Sequence, residues 1–457
     1  MSKINPLMFR EYDIRGEVGK DLTEESAKLI GKAYATYILR NGGKRVCCGR
    51  DGRLHSEMLE KALIEGMTST GLNIIDVGLC PTPLLYFSIY HLDSDGGIQV
   101  TGSHNPPEFN GFKMCIGKDT LFGEQIQKLK DLIEQNDFEK GEGKLESYNI
   151  IEPYLSYLKE NVTLQRSLKV VVDAGNGVAG LVAPRAFKDQ GCEVFELFCD
   201  VDGSFPNHHP DPTIPKNMET LSKKVIEVGA DFGVGYDGDG DRLGVIDENG
   251  KQLYGDQLLM IFAREILKEL PGAPIIGEVK CSELLYEDIE KHGGRPIMWK
   301  TGHSLIKKKM REENAPLAGE MSGHIFIAHR YFGFDDAIYA SLRLAEIVAK
   351  ENKPISSFLK DLPKTYSTPE IRVECPDEIK FKVVEEAKKY FKQSYNTIDV
   401  DGVRIQFEDG SWGLVRASNT QPVLVLRFEA KDKKRLDEIK ELVEKKVAEI
   451  RDKIQGN

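Results

Sequence analysis

The sequence predicts an α/β protein of four parts, three related mixed α/β domains followed by a smaller α+β C-terminal domain. Two observations carry this. An apolar strand, a glycine- or charge-marked turn, a helix-period segment, a glycine and a second apolar strand recur three times. Such strand–helix–strand units imply parallel sheets covered by helices. The last ninety or so residues break the pattern with short strands, Asp-Gly turns and charged helices. A chain of 457 residues has room for this many domains at roughly 100–200 residues each.

The first copy runs from "KRVCCGRDGR" through a helix near 55–70 to Gly71 and "LNIIDVG". The second runs from "LKVVVDAGNGVAG" through "LVAPRAFKDQG" to "CEVFELF", and the third from "APIIGEVKCS" through "ELLYEDIEKHGG" to "RPIMW". In the tail, a helix near 379–392 precedes "IDVDGVRIQFEDGSWGLVRAS", whose Asp-Gly pairs read as hairpin turns. The strand "PVLVLRFEA" and the amphipathic helix "KDKKRLDEIKELVEKKVAEIRDK" follow. Linkers are expected near 138–148 and 362–369, giving domains 1–149, 150–252, 253–365 and 366–457.

Hydrophobic content of 40% with 30% charged residues suits a globular protein with sizeable cores. A net charge of −11 with no long Lys/Arg block argues against nucleic acid or an anionic membrane as partner. No apolar run approaches the roughly 18 residues of a membrane span, and the N-terminus lacks a signal-peptide pattern. The eight cysteines form no C-x-x-C pair and read as reduced core thiols of a cytoplasmic protein. An anionic ligand therefore needs a local basic pocket or a metal.

"TGSHNPPEFNGFK" at 101–113 sets Ser103 beside His104 and near Lys113, on a backbone loosened by Gly102 and stiffened by Pro106 and Pro107. It is not the G-x-S-x-G elbow of hydrolases. "GYDGDGDRLG" at 235–244 places Asp237, Asp239 and Asp241 on alternate residues, and three carboxylates so close call for a hard cation such as Mg²⁺ or Ca²⁺. An EF-hand loop fails because Arg242 stands at the required glycine and the flanks read as strands. "GNGVAG" at 175–180 matches a dinucleotide fingerprint, but Asp173 would set a negative charge beside the pyrophosphate. A tight structural turn is the larger share of that reading.

Further along, "GEMSGHIF" offers Glu320 and Ser322 for sugar hydroxyls, with His324 expected to be buried and satisfied. Lys280 stands at a strand end, with Lys300 and His303 at a helix start, where α/β proteins place ligand groups. Lys307–Lys309 read as a solvated helix face. "RASNTQP" at 416–422 gathers Arg416, Ser418, Asn419 and Thr420 into either a phosphate cradle or an ordinary turn. Arg15, Arg50 and Arg53 lie near glycines in a manner consistent with phosphate contacts.

Together "FREYDIRG", "TGSHNPPEFNGFK", "DGDGDR", "GEMSGH" and "RASNTQP", in this order along nearly the whole chain, resemble the α-D-phosphohexomutase superfamily, and most closely its bacterial phosphomannomutase/phosphoglucomutase branch. The resemblance implies four domains around a central cleft, each giving one motif. It implies an isomerase whose Ser103 carries a phosphoryl group coordinated by Mg²⁺ on Asp237, Asp239 and Asp241. Hexose 1- and 6-phosphates would interconvert through a hexose 1,6-bisphosphate, with glucose 1,6-bisphosphate as activator. Lys113 and His303 would move protons, with His104 beside the serine and Arg15 and Arg242 steadying its phosphate. Glu320, Ser322, His324 and Lys280 would read the sugar, and Arg416, Ser418, Asn419 and Thr420 would hold the distal phosphate. Met321 points to mannose and glucose phosphates over the glucosamine branch. The alternatives are a phosphoglucosamine mutase, a serine-dependent metal phosphatase and a non-catalytic Ca²⁺- or phosphosugar-binding module.

Overall fold

The computed structural model describes residues 4–419 and 421–456. Four sheets follow one another along the chain, of seven, five, four and six strands. Each of the first three is built on the parallel pair that the repeat predicts. The pairs are Arg45–Arg50 with Asn73–Leu79, Lys169–Asp173 with Glu193–Leu197, and Pro274–Glu278 with Arg295–Trp299. The intervening helices are Ser56–Thr68, Ala183–Asp189 and Glu283–Lys291.

The repeat extends further than the sequence pattern revealed. In each unit a third strand joins the first in parallel and then turns back through an antiparallel hairpin. These strands are Gly96–Val100 into Phe109–Ile116, Phe232–Tyr236 into Leu243–Asp247, and Leu317–Gly319 into Ile325–Ile327. The three hairpin turns hold "TGSHNPPE", "DGDGDR" and "EMSGH". In the last unit, the turn between Trp412–Ala417 and Val423–Ala430 holds Ser418, Asn419, Gln421 and Pro422. These four motifs therefore occupy hairpin turns just beyond the end of a strand, where α/β sheets present ligand groups, while "FREYDIRG" leads into the strand Ile14–Glu17 beside the serine hairpin.

One hydrophobic core runs through the first three units, joining Cys47 and Leu85 to Val170 and Phe232 and on to Ile275 and Leu317. The fourth unit has a core of its own around Val403, Leu426 and Val443. It is fastened to the third by a buried arginine. The Arg404 guanidinium lies 3.7 Å from the Trp412 ring centroid and donates to the Val279 and Cys281 carbonyls at 2.7 and 2.8 Å. Both expected linkers are partly structured. Leu145–Ser147 pairs with Asn73–Leu79 as an edge strand, and Tyr366–Ser367 pairs with Val423–Ala430. Backbone groups that find a sheet edge within reach do not stay unpaired. All eight cysteines are free thiols. Among the described residues, no helix is long and apolar enough to cross a membrane.

The "DAGNGVAG" turn is a structural tie. Asp173 accepts from Gly175 N at 2.8 Å and pairs with His208 Nε2 at 3.0 Å. Asn207 donates to Asn176 at 2.8 Å, so the 207–213 segment is strapped over the turn. Burial alone would depress the His208 pKa, but the hydrogen bond and charge of Asp173 outweigh it and raise the value. A raised folded-state pKa means that the pair's stabilisation is complete below the ordinary imidazole value, about 6.5, and fades as pH climbs through the raised value. His208→Gln should therefore lower the melting temperature more at pH 5.5 than at pH 9. Equal losses at both pH values, read by thermal denaturation, would show that the pair carries no charge.

Candidate active site

Ser103 is held in an unusual backbone state. Its φ is +48°, a region that few non-glycine residues occupy and where strain collects at functional sites. Its N–H donates to Thr101 Oγ1 at 2.8 Å, and Arg53 supplies the rest of the constraint. The buried Arg53 guanidinium donates to the carbonyls of Ser103, Asn105, Pro106 and Phe109 at 2.6–3.0 Å. Gly102 lies flat against that guanidinium, where a Cβ would stand 2.5 Å from Arg53 Nε. Arg53 is thus a staple for the loop, with its fork taken up by carbonyls. Arg50 pairs with Glu60 at 2.9 Å. The Arg53 fork is therefore not available for the phosphate contact expected of it.

The Ser103 hydroxyl donates to Asp237 Oδ2 at 3.0 Å and stands 3.2 Å from His104 Nδ1. Burial, with Arg242 and Arg15 nearby, holds His104 well below the ordinary imidazole range. The serine and aspartate loops touch through backbone, since a Cβ on Gly238 would lie 2.6 Å from the Ser103 carbonyl. Arg15 donates to Asp13 at 2.8 Å and to Asn105 of the serine loop at 2.9 Å.

Asp237, Asp239 and Asp241 are fully buried, and each offers an oxygen within 4.8 Å of the others. Lys113 donates to Asp239 at 2.8 Å and also to Asp241. Burial opposes charge on Lys113, yet Asp239 and Asp241 outweigh it and raise its pKa above the ordinary lysine value. Arg242 approaches Asp237 at 4.0 Å. Burial, then Asp239 and Asp241, push Asp237 well above the usual carboxylate range. Asp239 Oδ1 is buried without a hydrogen-bond partner among the described residues. An all-oxygen donor set with an orphaned carboxylate oxygen fits a hard dication.

From the third unit, His324 bridges two acids, Asp241 at 3.1 Å and Glu320 at 2.7 Å. Burial disfavours its charge, but Asp241 and Glu320 outweigh burial and push its pKa up to about 9. Glu320, which burial would raise, is instead brought down to about 2 by His324. Its oxygens also accept from Gly302 N at 2.6 Å and from Ser322 Oγ at 3.2 Å. Gly302 precedes the helix His303–Glu313, and the His303 ring packs between those of Tyr12 and His324, at 6.3 and 6.0 Å. On that helix Lys307 is buried rather than solvated, and donates to the buried Asp335 at 2.9 Å. A lysine run reveals charge but not which member of it faces inward. Asp335 itself had no signal in the sequence beyond an Asp-Asp pair.

Lys280 is buried and donates to Glu370 at 2.6 Å, 3.8 Å from Glu278. Arg416 is buried and donates through Nε to Asp401 at 2.9 Å, and Asp401 also accepts from Thr301 N. Asn419 donates to the Tyr12 hydroxyl, which donates in turn to the Thr301 carbonyl at 2.8 Å. The first, third and fourth units thus meet at this loop. Ser418 is buried and accepts from Gln421 N at 3.1 Å. Thr420 lies outside the described residues.

The chain matches four family models. They are described as phosphoglucomutase/phosphomannomutase, alpha/beta/alpha domain I (residues 6–140), domain II (152–250), domain III (254–366), and C-terminal domain (370–446). It is 49% identical over 449 residues to a phosphomannomutase/phosphoglucomutase of Pseudomonas putida, covering 98% of this chain and 97% of that one. A phosphoglucomutase of Neisseria meningitidis serogroup A is 46% identical over 435 residues, 94% of each chain. The crystal structure of a phosphoglucomutase/phosphomannomutase family protein from Burkholderia thailandensis superposes with a TM-score of 0.92 at 43% identity, covering 98% of both chains.

Proposed function

The chain belongs to the phosphoglucomutase/phosphomannomutase family and is a hexose-phosphate mutase. From that premise we propose that Ser103 carries the transferring phosphoryl group and that mannose and glucose phosphates are the substrates. The observation that carries the first part is the Ser103 hydroxyl, strained in backbone and aimed at Asp237 from 3.0 Å within a buried triple of aspartates. Domains 1–149, 150–252, 253–365 and 366–457 would each lend one hairpin turn to the site.

Asp237, Asp239 and Asp241, with the phosphorylated Ser103, are the residues that would hold Mg²⁺. When bound, it offsets the negative charge of the phosphoryl group in flight. Arg15 and Arg242 flank the serine loop and would steady that group. The free hydroxyl of a hexose 1- or 6-phosphate forms a bond to phosphorus as the Ser103 Oγ–P bond breaks, its electron pair remaining on Oγ. His303, neutral in its buried setting, takes the hydroxyl proton. Lys113, an ammonium between Asp239 and Asp241, returns a proton to Ser103 Oγ. The hexose 1,6-bisphosphate then reverses end for end, the same steps run backwards, and its other phosphate is left on Ser103. Added glucose 1,6-bisphosphate acts as activator by recharging the serine. His104, 3.2 Å from Oγ, would set the direction of the free hydroxyl while the bisphosphate reverses.

Glu320, Ser322 and His324 form the sugar-reading turn. The carboxylate oxygens of Glu320 retain acceptor capacity beyond their present partners, and Lys280 lies at the adjoining strand end. Arg416, Ser418, Asn419 and Thr420 would hold the phosphate that is not reacting. Mannose and glucose substrates follow from the relatives' names and from Met321 in that turn. Comparable turnover of mannose 1-phosphate and glucose 1-phosphate is expected in parallel assays, with glucosamine 1-phosphate far slower. A preference for glucosamine would overturn the sugar assignment.

The distal clamp makes a second expectation. Arg416→Ala removes a charge-assisted contact of about 1.5–3 kcal/mol, so substrate affinity should fall roughly 10- to 100-fold. The bisphosphate should also escape before it has reversed, leaving Ser103 bare. The variant should stall after few turnovers and revive on addition of glucose 1,6-bisphosphate. Steady turnover without activator, at unchanged KM, would remove Arg416 from the clamp.

A further inference from the structure

We propose that Thr82 is a positioning residue for Asp239, holding its carboxylate by one oxygen so that the other stays open to the cation; this rests on the reading of the three aspartates as the Mg²⁺ site. Thr82 belongs to the first unit and Asp239 to the second, and the two residues are joined twice. The Thr82 hydroxyl donates to Asp239 Oδ2 at 2.6 Å, and the Thr82 N–H donates to the Asp239 carbonyl at 2.9 Å. Lys113 donates to the same Oδ2 at 2.8 Å, whereas Oδ1 is buried with no partner among the described residues. A carboxylate that receives both its donors on one oxygen is fixed in rotation, and its second oxygen is kept clear of protein donors. Hydrogen bonds to a ligating carboxylate orient it in this way and tune the affinity of the site.

The two donors differ in what they fix. The Lys113 ammonium is divided between Asp239 and Asp241, so it ties two ligands together rather than setting the attitude of one. The Thr82 hydroxyl has one proton to give, and Asp239 receives it. Its own helix, Thr82–His91, makes no use of that hydroxyl, because the residue before it is Pro81 and no side chain caps the helix start. The open N–H of Thr82 goes to the Asp239 carbonyl instead, so the helix start and the aspartate turn satisfy each other. Prolines stand on both sides of Thr82 and restrict the backbone that carries it. Thr82 has no exposure to water, so its hydroxyl depends on this partner, as a buried polar group must. The other two aspartates lack such a bare oxygen. Asp237 meets Ser103 and the N–H groups of Asp241 and Arg242, and Asp241 meets Lys113 and His324.

Binding of Mn²⁺, a paramagnetic probe of the cation site, tests this without reference to turnover. The electron paramagnetic resonance signal of free Mn²⁺ reports the unbound fraction, on full-length proteins matched in Ser103 phosphorylation by intact mass. Thr82→Val keeps the branched side chain and loses the hydroxyl, and should weaken Mn²⁺ binding about 10- to 100-fold. Thr82→Ser keeps the hydroxyl and should bind close to wild type. Added Mg²⁺ should recover the turnover of Thr82→Val, with the half-saturating concentration raised by the same factor. Wild-type Mn²⁺ affinity in Thr82→Val, with only a lower melting temperature, would make the hydroxyl a tie between units and overturn the proposal. Equal losses of affinity in Thr82→Val and Thr82→Ser would assign the effect to packing of the methyl group and overturn it too. Should Thr82→Val fail to fold, Thr82→Ala set against Thr82→Ser makes the same comparison. Asp239→Asn tests the premise. If it binds Mn²⁺ as wild type does, the aspartate site falls and this proposal with it; loss in Asp239→Asn with none in Thr82→Val overturns only the role of Thr82.

Discussion

Asp237, Asp239 and Asp241 stand on alternate residues of one hairpin turn with no exposure to water. Carboxylates so placed repel strongly in a medium that screens little, and no residue within that turn can neutralise all three. Most of the neutralisation comes from elsewhere in the chain. Lys113 arrives from the first unit's antiparallel strand, Arg242 from the turn's own exit, and His324 from the third unit. The charge requirement of one turn therefore binds three units together. Their shared hydrophobic core supplies the bulk of the attraction, and the ionic network sets the register in which they meet.

That register brings the motif turns onto each other. The serine loop touches the aspartate loop, the aspartate loop runs into the 320–324 turn through the Arg242–His324 bridge, and Glu320 accepts from the backbone ahead of His303. Only the fourth unit stands outside the common core. It meets the third through the small buried cluster of Val279, Trp412 and Leu414, and reaches the site through polar links, Asp401 to Thr301 and Asn419 to Tyr12. The phosphate clamp proposed for that unit would suit a site whose intermediate has to reverse without leaving. The four carbonyls on Arg53 hold the serine loop in the shape that gives Ser103 its strained φ.

Much of this was legible in the chain. The parallel pairs follow from apolar runs punctuated by glycine, and the aspartate turn declares itself because three acids with glycines between them have few other uses. The antiparallel hairpin that completes each unit was not legible as a repeat, because its turn differs in length and composition in every copy. Charge was visible, but its direction was not. Arg53 looked available to a phosphate and is committed to carbonyls, whereas Lys307 looked solvated and is buried against Asp335. Asp335 and Asp336 are indistinguishable in sequence, and only packing shows that one caps a helix while the other faces His303. Contacts such as Lys113 with Asp239 and His324 with Asp241 join residues far apart in sequence, beyond any local pattern.

The central claim is that the phosphoryl group leaving Ser103 is the one that appears on the sugar. Enzyme carrying a labelled phosphoryl on Ser103, mixed with unlabelled glucose 1-phosphate and quenched within a single turnover, follows that atom directly. The account predicts label passing from Ser103 into hexose 1,6-bisphosphate and then into the 6-phosphate of the product, with Ser103 re-phosphorylated by unlabelled phosphate. Label released as inorganic phosphate, or retained on Ser103 while glucose 6-phosphate forms, would contradict it.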